Sequence, residues 1–265
     1  MTVWTMPSRP DSETEARYFM RHVVPIYFDF RKDGESKQFV QTSFAFSVYG
    51  RWLLMTAGHC ITDIGQIRAL GWRLEKCRLL DCLALNARYE EPVPFDYDGA
   101  QPRMLCNNPT WDYGIMFPAE NTCRLLSANG VVPFDEKWWV EEPQTADAYF
   151  LFGVPEESVT ASPNHVSLGP VMARLERLDE PPEGFCQTDA PMFYGALIEY
   201  PLSRLRGCSG GPILSFAEIP EGQGRAHYWV HAMQVSALRG KYVSGVRMQP
   251  LGHFLKGFFE GKHPV

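Results

Sequence analysis

No stretch of the 265 residues stays apolar for the length of a bilayer, so the chain carries no sequence signature of a spanning helix. A secretory hydrophobic region is missing as well, because Ser8 to Arg17 is dominated by polar and charged side chains. Positive charge is scarce: 25 Lys and Arg stand against 31 Asp and Glu, for a net charge of −6. No run of basic residues interleaved with aromatics offers a stripe for phosphates. Nucleic acid and membrane are therefore not expected partners, and the chain reads as cytoplasmic. There is no internal repeat and no low-complexity tract. What remains is ordinary globular material, 45% hydrophobic, enough for one double-core unit or two small domains.

Cysteine is present seven times, an odd number, at Cys60, Cys77, Cys82, Cys106, Cys123, Cys186 and Cys208. Cys77 and Cys82 have a spacing that could serve a metal, but no second Cys/His pair accompanies them, and no metal site is expected. His227 and His231 would share one face of a strand and lack a companion carboxylate motif, which fits surface or barrel-packing histidines.

Short β-rich runs dominate: Val23–Phe30, Phe39–Tyr49, Trp52–Thr56, Tyr113–Phe117, Ala148–Val154, Val166–Leu175, Ala190–Tyr200, Pro212–Phe216, His227–Val235 and Tyr242–Met248. Gly, Pro, Asn and Asp clusters separate them, the pattern of an all-β barrel or sandwich. Asp11–Met20 and Gly252–Phe259 read as short terminal helices, and Ala119–Pro143, rich in proline and polar residues, as a crossover.

Gly207-Cys208-Ser209-Gly210-Gly211-Pro212 sets a serine among glycines. A hydroxyl nucleophile needs a base within hydrogen-bond reach and N–H donors aimed at the charge that develops on the carbonyl, and glycine supplies that backbone geometry. A histidine follows the apolar run Trp52-Leu53-Leu54-Met55 in Thr56-Ala57-Gly58-His59-Cys60, which the sequence places at the end of a strand. Asp112 opens the apolar run Trp111–Phe117, where a lone carboxylate is buried if an imidazole pairs with it. His59 precedes Asp112 by 53 residues, and Asp112 precedes Ser209 by 97.

On these three motifs, in this order, the chain resembles the trypsin/chymotrypsin-like serine peptidases. The resemblance extends to Phe44–Val48 before the histidine, to Ala232–Ala237 as a substrate-pairing strand, and to Gly245-Val246-Arg247-Met248. It implies two packed antiparallel six-stranded β-barrels with short N- and C-terminal helices: an N-terminal segment 1–22, a first barrel 23–135 with His59 and Asp112, and a second barrel 136–265 with Ser209. It implies a serine endopeptidase with His59, Asp112 and Ser209 as catalytic residues and the Gly207 and Ser209 N–H groups as the oxyanion hole. Neither metal nor cofactor enters, the substrate is protein or peptide, and a regulatory protein partner is left open. A peptidase-fold binding module with little or no turnover is the alternative. An esterase is disfavoured because the order and the glycine context differ from a strand–turn–helix nucleophile elbow.

Several positions depart from the family pattern. Relatives that are secreted pair the cysteine after the histidine with one upstream, yet Thr42-Ser43-Phe44-Ala45 has none, so reduced thiols are expected. Cys208 replaces the aspartate that receives a freed N-terminus, which removes the zymogen switch; a small apolar residue behind the loop suffices for Cys208, with a redox switch as the other reading. Ser203 stands where an acid would select basic side chains. Arg204 and Arg206 either point to solvent or bring positive charge to the specificity pocket, whose opposite wall is read as Ser236, Ala237, Leu238 and Gly245, with Leu238 narrowing it.

Overall fold

Alternating apolar residues and two-residue turns build strands along most of the chain. The computed structural model describes residues 4–5, 17–84, 87–89, 91–100, 104–107, 111–140, 146–162, 165–185, 190–199, 205–218 and 225–262. After β1 (Trp4–Thr5), the first half contains β2 (Ile26–Lys32), β3 (Glu35–Gln41), β4 (Phe44–Val48), β5 (Arg51–Thr56), β6 (Arg73–Leu79), β7 (Val93–Pro94), β8 (Met104–Asn107) and β9 (Asp112–Met116). They form two four-stranded antiparallel sheets, ordered β3-β2-β6-β7 and β4-β5-β9-β8. Asp33-Gly34 and Tyr49-Gly50 close the β2–β3 and β4–β5 hairpins, with φ of 50°, 86°, 51° and 72°. Two consecutive left-handed residues make the turn whose twist matches the strands it joins.

The second half holds β10 (Ala148–Gly153), β11 (Val159–Ser162), β12 (His165–Leu168), β13 (Val171–Leu178), β14 (Met192–Glu199), β15 (Pro212–Glu218), β16 (Arg225–Leu238) and β17 (Tyr242–Arg247). Six of them run β16-β15-β10-β13-β14-β17, and β17 returns to pair with β16, closing a six-stranded barrel. Closure removes exposed sheet edges. The expected all-β double-barrel class is met.

The largest apolar cluster joins the halves: Phe44 and Phe46 of β4 and Phe134 meet Phe152 of β10 and Val230 and Met233 of β16. Residues before β2 belong to it too. Phe19 packs its ring 5.1 Å from both Phe216 and Tyr228, and fully buried His22 stacks on Phe134 at 3.9 Å. The Val132 carbonyl can only accept, so His22 donates to it from Nδ1, at 2.6 Å. Burial holds this imidazole well below its ordinary pKa.

Four local expectations change. His59 lies in the first turn of a helix, α1 (Gly58–Ala69), and the expected Ala119–Pro143 crossover contains another, α2 (Glu120–Ala128). Residues 57 and 119 are alanines and give α1 and α2 no side-chain cap, so neither helix start was legible. Gly71, with φ 87°, terminates α1 in the left-handed conformation that glycine adopts freely. The C-terminal helix α3 runs over Met248–Phe259 and begins before Pro250, whose missing N–H costs nothing in a first turn. Its close seat is visible at Gly252, where an added Cβ would lie 2.5 Å from the Trp139 ring. The expected run Phe39–Tyr49 is two strands, because polar Thr42-Ser43 interrupts it. Of the expected N-terminal helix, Arg17–Met20 is helical, and 11–16 lie outside the described residues.

Candidate active site

The β5–α1 junction and β9 lie side by side, and this brings His59 to Asp112. Asp112 Oδ2 accepts from His59 Nδ1 at 2.6 Å, while Oδ1 accepts from the His59 backbone N–H at 2.8 Å. The second bond satisfies one of the donors left open at a helix N-terminus, so one carboxylate caps α1 and orients its imidazole. Gly58 makes room for this. A Cβ there would stand 2.2 Å from the Cys106 carbonyl and 2.8 Å from Asp112 Oδ1. The Asp112 hydrogen bond, and after it the contact with the Cys60 thiol, push His59 up from 6.5 to about 10, against the opposing effect of burial. The His59 side chain keeps 36% of its exposure and Asp112 17%, so the ring's far edge stays open to proton exchange while the carboxylate is sheltered.

Ser209 sits on a turn tied to three parts of the chain. Gly207 O accepts from Thr42 Oγ1 at 2.6 Å and from Thr42 N at 3.3 Å, Arg206 O accepts from Glu156 N at 2.7 Å, and Gly210 N donates to Gln234 O at 2.8 Å. Gly207 has φ 94°, and a Cβ there would lie 2.6 Å from Glu156 N and 2.8 Å from Val154 O. Only glycine fits both the conformation and the space. Among the described residues, neither the Gly207 nor the Ser209 N–H is donated to a backbone carbonyl. Cys208 is fully buried against Gly153.

Ser209 and His59 line one cleft of about 290 Å³, with Cys60, Gln41, Glu156 and Arg206 among its walls. The Ser209 hydroxyl forms no hydrogen bond to a described residue; the nearest group that bonds His59 Nε2 is Cys60 Sγ, at 3.6 Å. Unliganded sites commonly hold such bonds open until substrate arrives. Arg206 is an exposed side chain paired with Glu156 at 2.8 Å.

Four of the expected specificity residues lie within the described structure. Ser203 and Arg204 lie outside the described residues, as does Cys186. Ser236 and Leu238 are half-buried and Ala237 exposed near the end of β16. Leu238 is covered by the loop before β14, where an added Cβ at Gly184 would come within 3.0 Å of it. Gly245 faces Gln234 across β16 and β17, and a side chain there would press on Met233 O at 2.8 Å and Ile213 at 3.1 Å. Its bareness serves strand packing. His231 fills the second barrel against Tyr149 and Phe193, and His227 stacks on Trp229. Cys77 belongs to the core of the first half.

Sequence reasoning missed Thr42. Its Oγ1 also accepts from Val154 N at 3.0 Å, so one buried side chain joins the first half to both β10's end and the serine turn. Gln41 holds the Cys60 carbonyl through Nε2 at 2.6 Å. The polar break Gln41-Thr42-Ser43 inside an apolar run was the available signal.

No protein-family model matches the chain, and no curated protein matches its sequence. Solved structures do. A scabies mite inactivated protease paralogue, S-I1, aligns with TM-score 0.54 and 13% identity over 93% of this chain and 97% of its own. The protease Anisep of Arthrobacter nicotinovorans aligns with TM-score 0.47 and 17% identity over 86% of this chain and 90% of its own. The thermostable serine protease AL20, from an extremophilic microorganism, aligns with TM-score 0.49 and 13% identity over 95% and 100%. With a closed six-stranded barrel, a mostly β first half and the S-I1 alignment along nearly the whole length, the chain has the fold of the trypsin-like serine proteases.

Proposed function

We propose that this protein is a serine endopeptidase of the cytoplasm, held under regulation, that cleaves protein substrates through an acyl-enzyme. Ser209 attacks the peptide carbonyl, His59 takes its proton and returns it to the leaving amine, and Asp112 holds the imidazole's tautomer and its charged form. The Gly207 and Ser209 N–H groups receive the oxyanion, each contributing about 2.7–4 kcal/mol to the transition state. The observation that carries the reading is that both Asp112 oxygens are spent on His59, leaving Nε2 for the cleft that Ser209 lines. With Ser203 in place of an acid, the pocket does not select basic side chains. Reduced thiols, and with them the cytoplasmic placement, are supported by the sequence, since Thr42-Ser43-Phe44-Ala45 offers Cys60 no upstream partner.

A second reading, a binding or regulatory module with little turnover, is favoured by one observation: the Ser209 hydroxyl has no hydrogen bond to His59. One similar structure is itself described as an inactivated protease paralogue. A fluorophosphonate separates the two. The peptidase reading expects an adduct on Ser209 that is lost in Ser209→Ala and His59→Ala; a folded wild type that forms no adduct establishes the module instead.

A further inference from the structure

Cys60 follows His59 in sequence and touches it in space. Its Sγ stands 3.6 Å from His59 Nε2 and 3.8 Å from the Ser209 carbonyl, while Nδ1 of the same ring is 2.6 Å from Asp112 Oδ2. Thiol, imidazole and carboxylate are therefore in line, the order in which a base takes a thiol proton and a carboxylate holds the imidazolium that results. Cys60 is a free thiol, only 7% exposed, whose small open surface lies on the wall of the cleft, and its carbonyl is fixed by Gln41. Cys123 provides the contrast. It is the more exposed of the two, its thiol donates to the Pro118 carbonyl at 3.8 Å, burial of the sulfur's surroundings pushes its pKa up, and among the described residues no imidazole touches it.

We propose that Cys60 is a modification site for small hydroperoxides, and that its oxidation withholds His59 from Ser209. The second clause rests on the endopeptidase reading; the first does not. When the imidazole is neutral, the Cys60 proton passes to His59 Nε2, and the thiolate sulfur attacks the terminal oxygen of the hydroperoxide. An S–O bond forms as the O–O bond breaks, and the departing alkoxide takes the proton back from Nε2 as an alcohol. The thiol is oxidised to a sulfenic acid and the hydroperoxide is reduced. A sulfenic hydroxyl bonds nitrogen at a shorter range than a thiol does, so it occupies the Nε2 lone pair that Ser209 requires. A small thiol condenses with the sulfenic acid, releasing water, and a second thiol reduces the mixed disulfide and restores Cys60.

The test uses the full chain and iodoacetamide at neutral pH, with the rate read separately at Cys60 and Cys123 by peptide mapping. Cys60 is expected to alkylate at least about tenfold faster, and His59→Gln to bring it down to the Cys123 rate. In parallel, hydrogen peroxide should place a dimedone-reactive oxygen on Cys60. It should also slow phosphonate labelling of Ser209 by about tenfold or more, reversibly with dithiothreitol, while Cys60→Ala keeps its labelling under peroxide. Equal alkylation of the two thiols, or a Cys60 rate indifferent to His59→Gln, overturns the site. Equal peroxide sensitivity in Cys60→Ala overturns the gating. If untreated wild type takes no phosphonate, the endopeptidase reading and the gating fall together, and the alkylation contrast still decides the modification site.

Discussion

Replacing Asp112 with Asn alters the point where two donors converge. In the wild type, Oδ1 accepts from the His59 N–H at 2.8 Å and Oδ2 from Nδ1–H at 2.6 Å. An amide offers one oxygen and an NH₂ group in their place. If the oxygen keeps the helix N–H, the NH₂ faces Nδ1, the ring carries its proton on Nε2, and the lone pair that Ser209 needs is gone. If the oxygen turns to Nδ1–H, the sheltered helix N–H is left facing a donor, at a cost of about 1–3 kcal/mol. The first arrangement therefore dominates. A wrong tautomer lowers turnover by about 10⁴-fold, or about 5.5 kcal/mol of barrier. The pH profile provides a second readout. Asp112 is the largest cause of the rise in His59 to about 10, so wild-type activity, which needs neutral imidazole, climbs through the alkaline range, whereas the variant levels off at lower pH. Since the folded-state value is raised, the pair's contribution to stability is fully present below about pH 6.5 and lost as pH climbs through about 10. Solvent screening at the part-exposed ring keeps that contribution small. The assay is the second-order rate of phosphonate labelling or peptide cleavage from acid to alkaline pH. An Asn variant within about tenfold of wild type, or one whose pH limb does not move, refutes the reasoning.

Three further substitutions probe the frame around the site. Gly207→Ala combines a positive φ with contacts at 2.6 and 2.8 Å, and should cost about 2–5 kcal/mol in urea unfolding and slow phosphonate labelling; wild-type behaviour in both assays would show that the turn does not require glycine. Thr42→Val removes the bonds to Gly207 O and Val154 N, with an expected loss of about 1–3 kcal/mol and slower labelling, and Thr42→Ser should restore both. Burial, and then Arg247, bring His231 down to about 3, so the unfolded chain binds its proton first and stability falls as pH drops from about 6.5 toward about 3. His231→Phe, placed between Tyr149 and Phe193, should flatten that slope without abolishing it, because His22 is shifted in the same direction; a slope unchanged in urea titrations at several pH values assigns the acid sensitivity elsewhere.

Local chemistry in the sequence determined the strands, the turns and the glycines of the serine loop. Alternating apolar residues, Asp33-Gly34 and a serine between glycines act through φ, ψ and neighbours a few residues away, so they can be read without a fold. Of the ordered residues His59, Asp112 and Ser209, the first and last line one cleft, and Asp112 is bonded to His59. Only the tertiary structure decided how they meet: that Asp112 spends one oxygen on the α1 backbone, that Thr42 latches Gly207 from 165 residues away, and that Cys60, 149 residues before Ser209, stands beside its carbonyl. Phe19 and His22, which the sequence assigned to an outlying segment, became core for the same reason. Such contacts depend on which surfaces are buried together when β17 closes on β16 and the two halves join, and no periodicity or spacing along the chain records that choice.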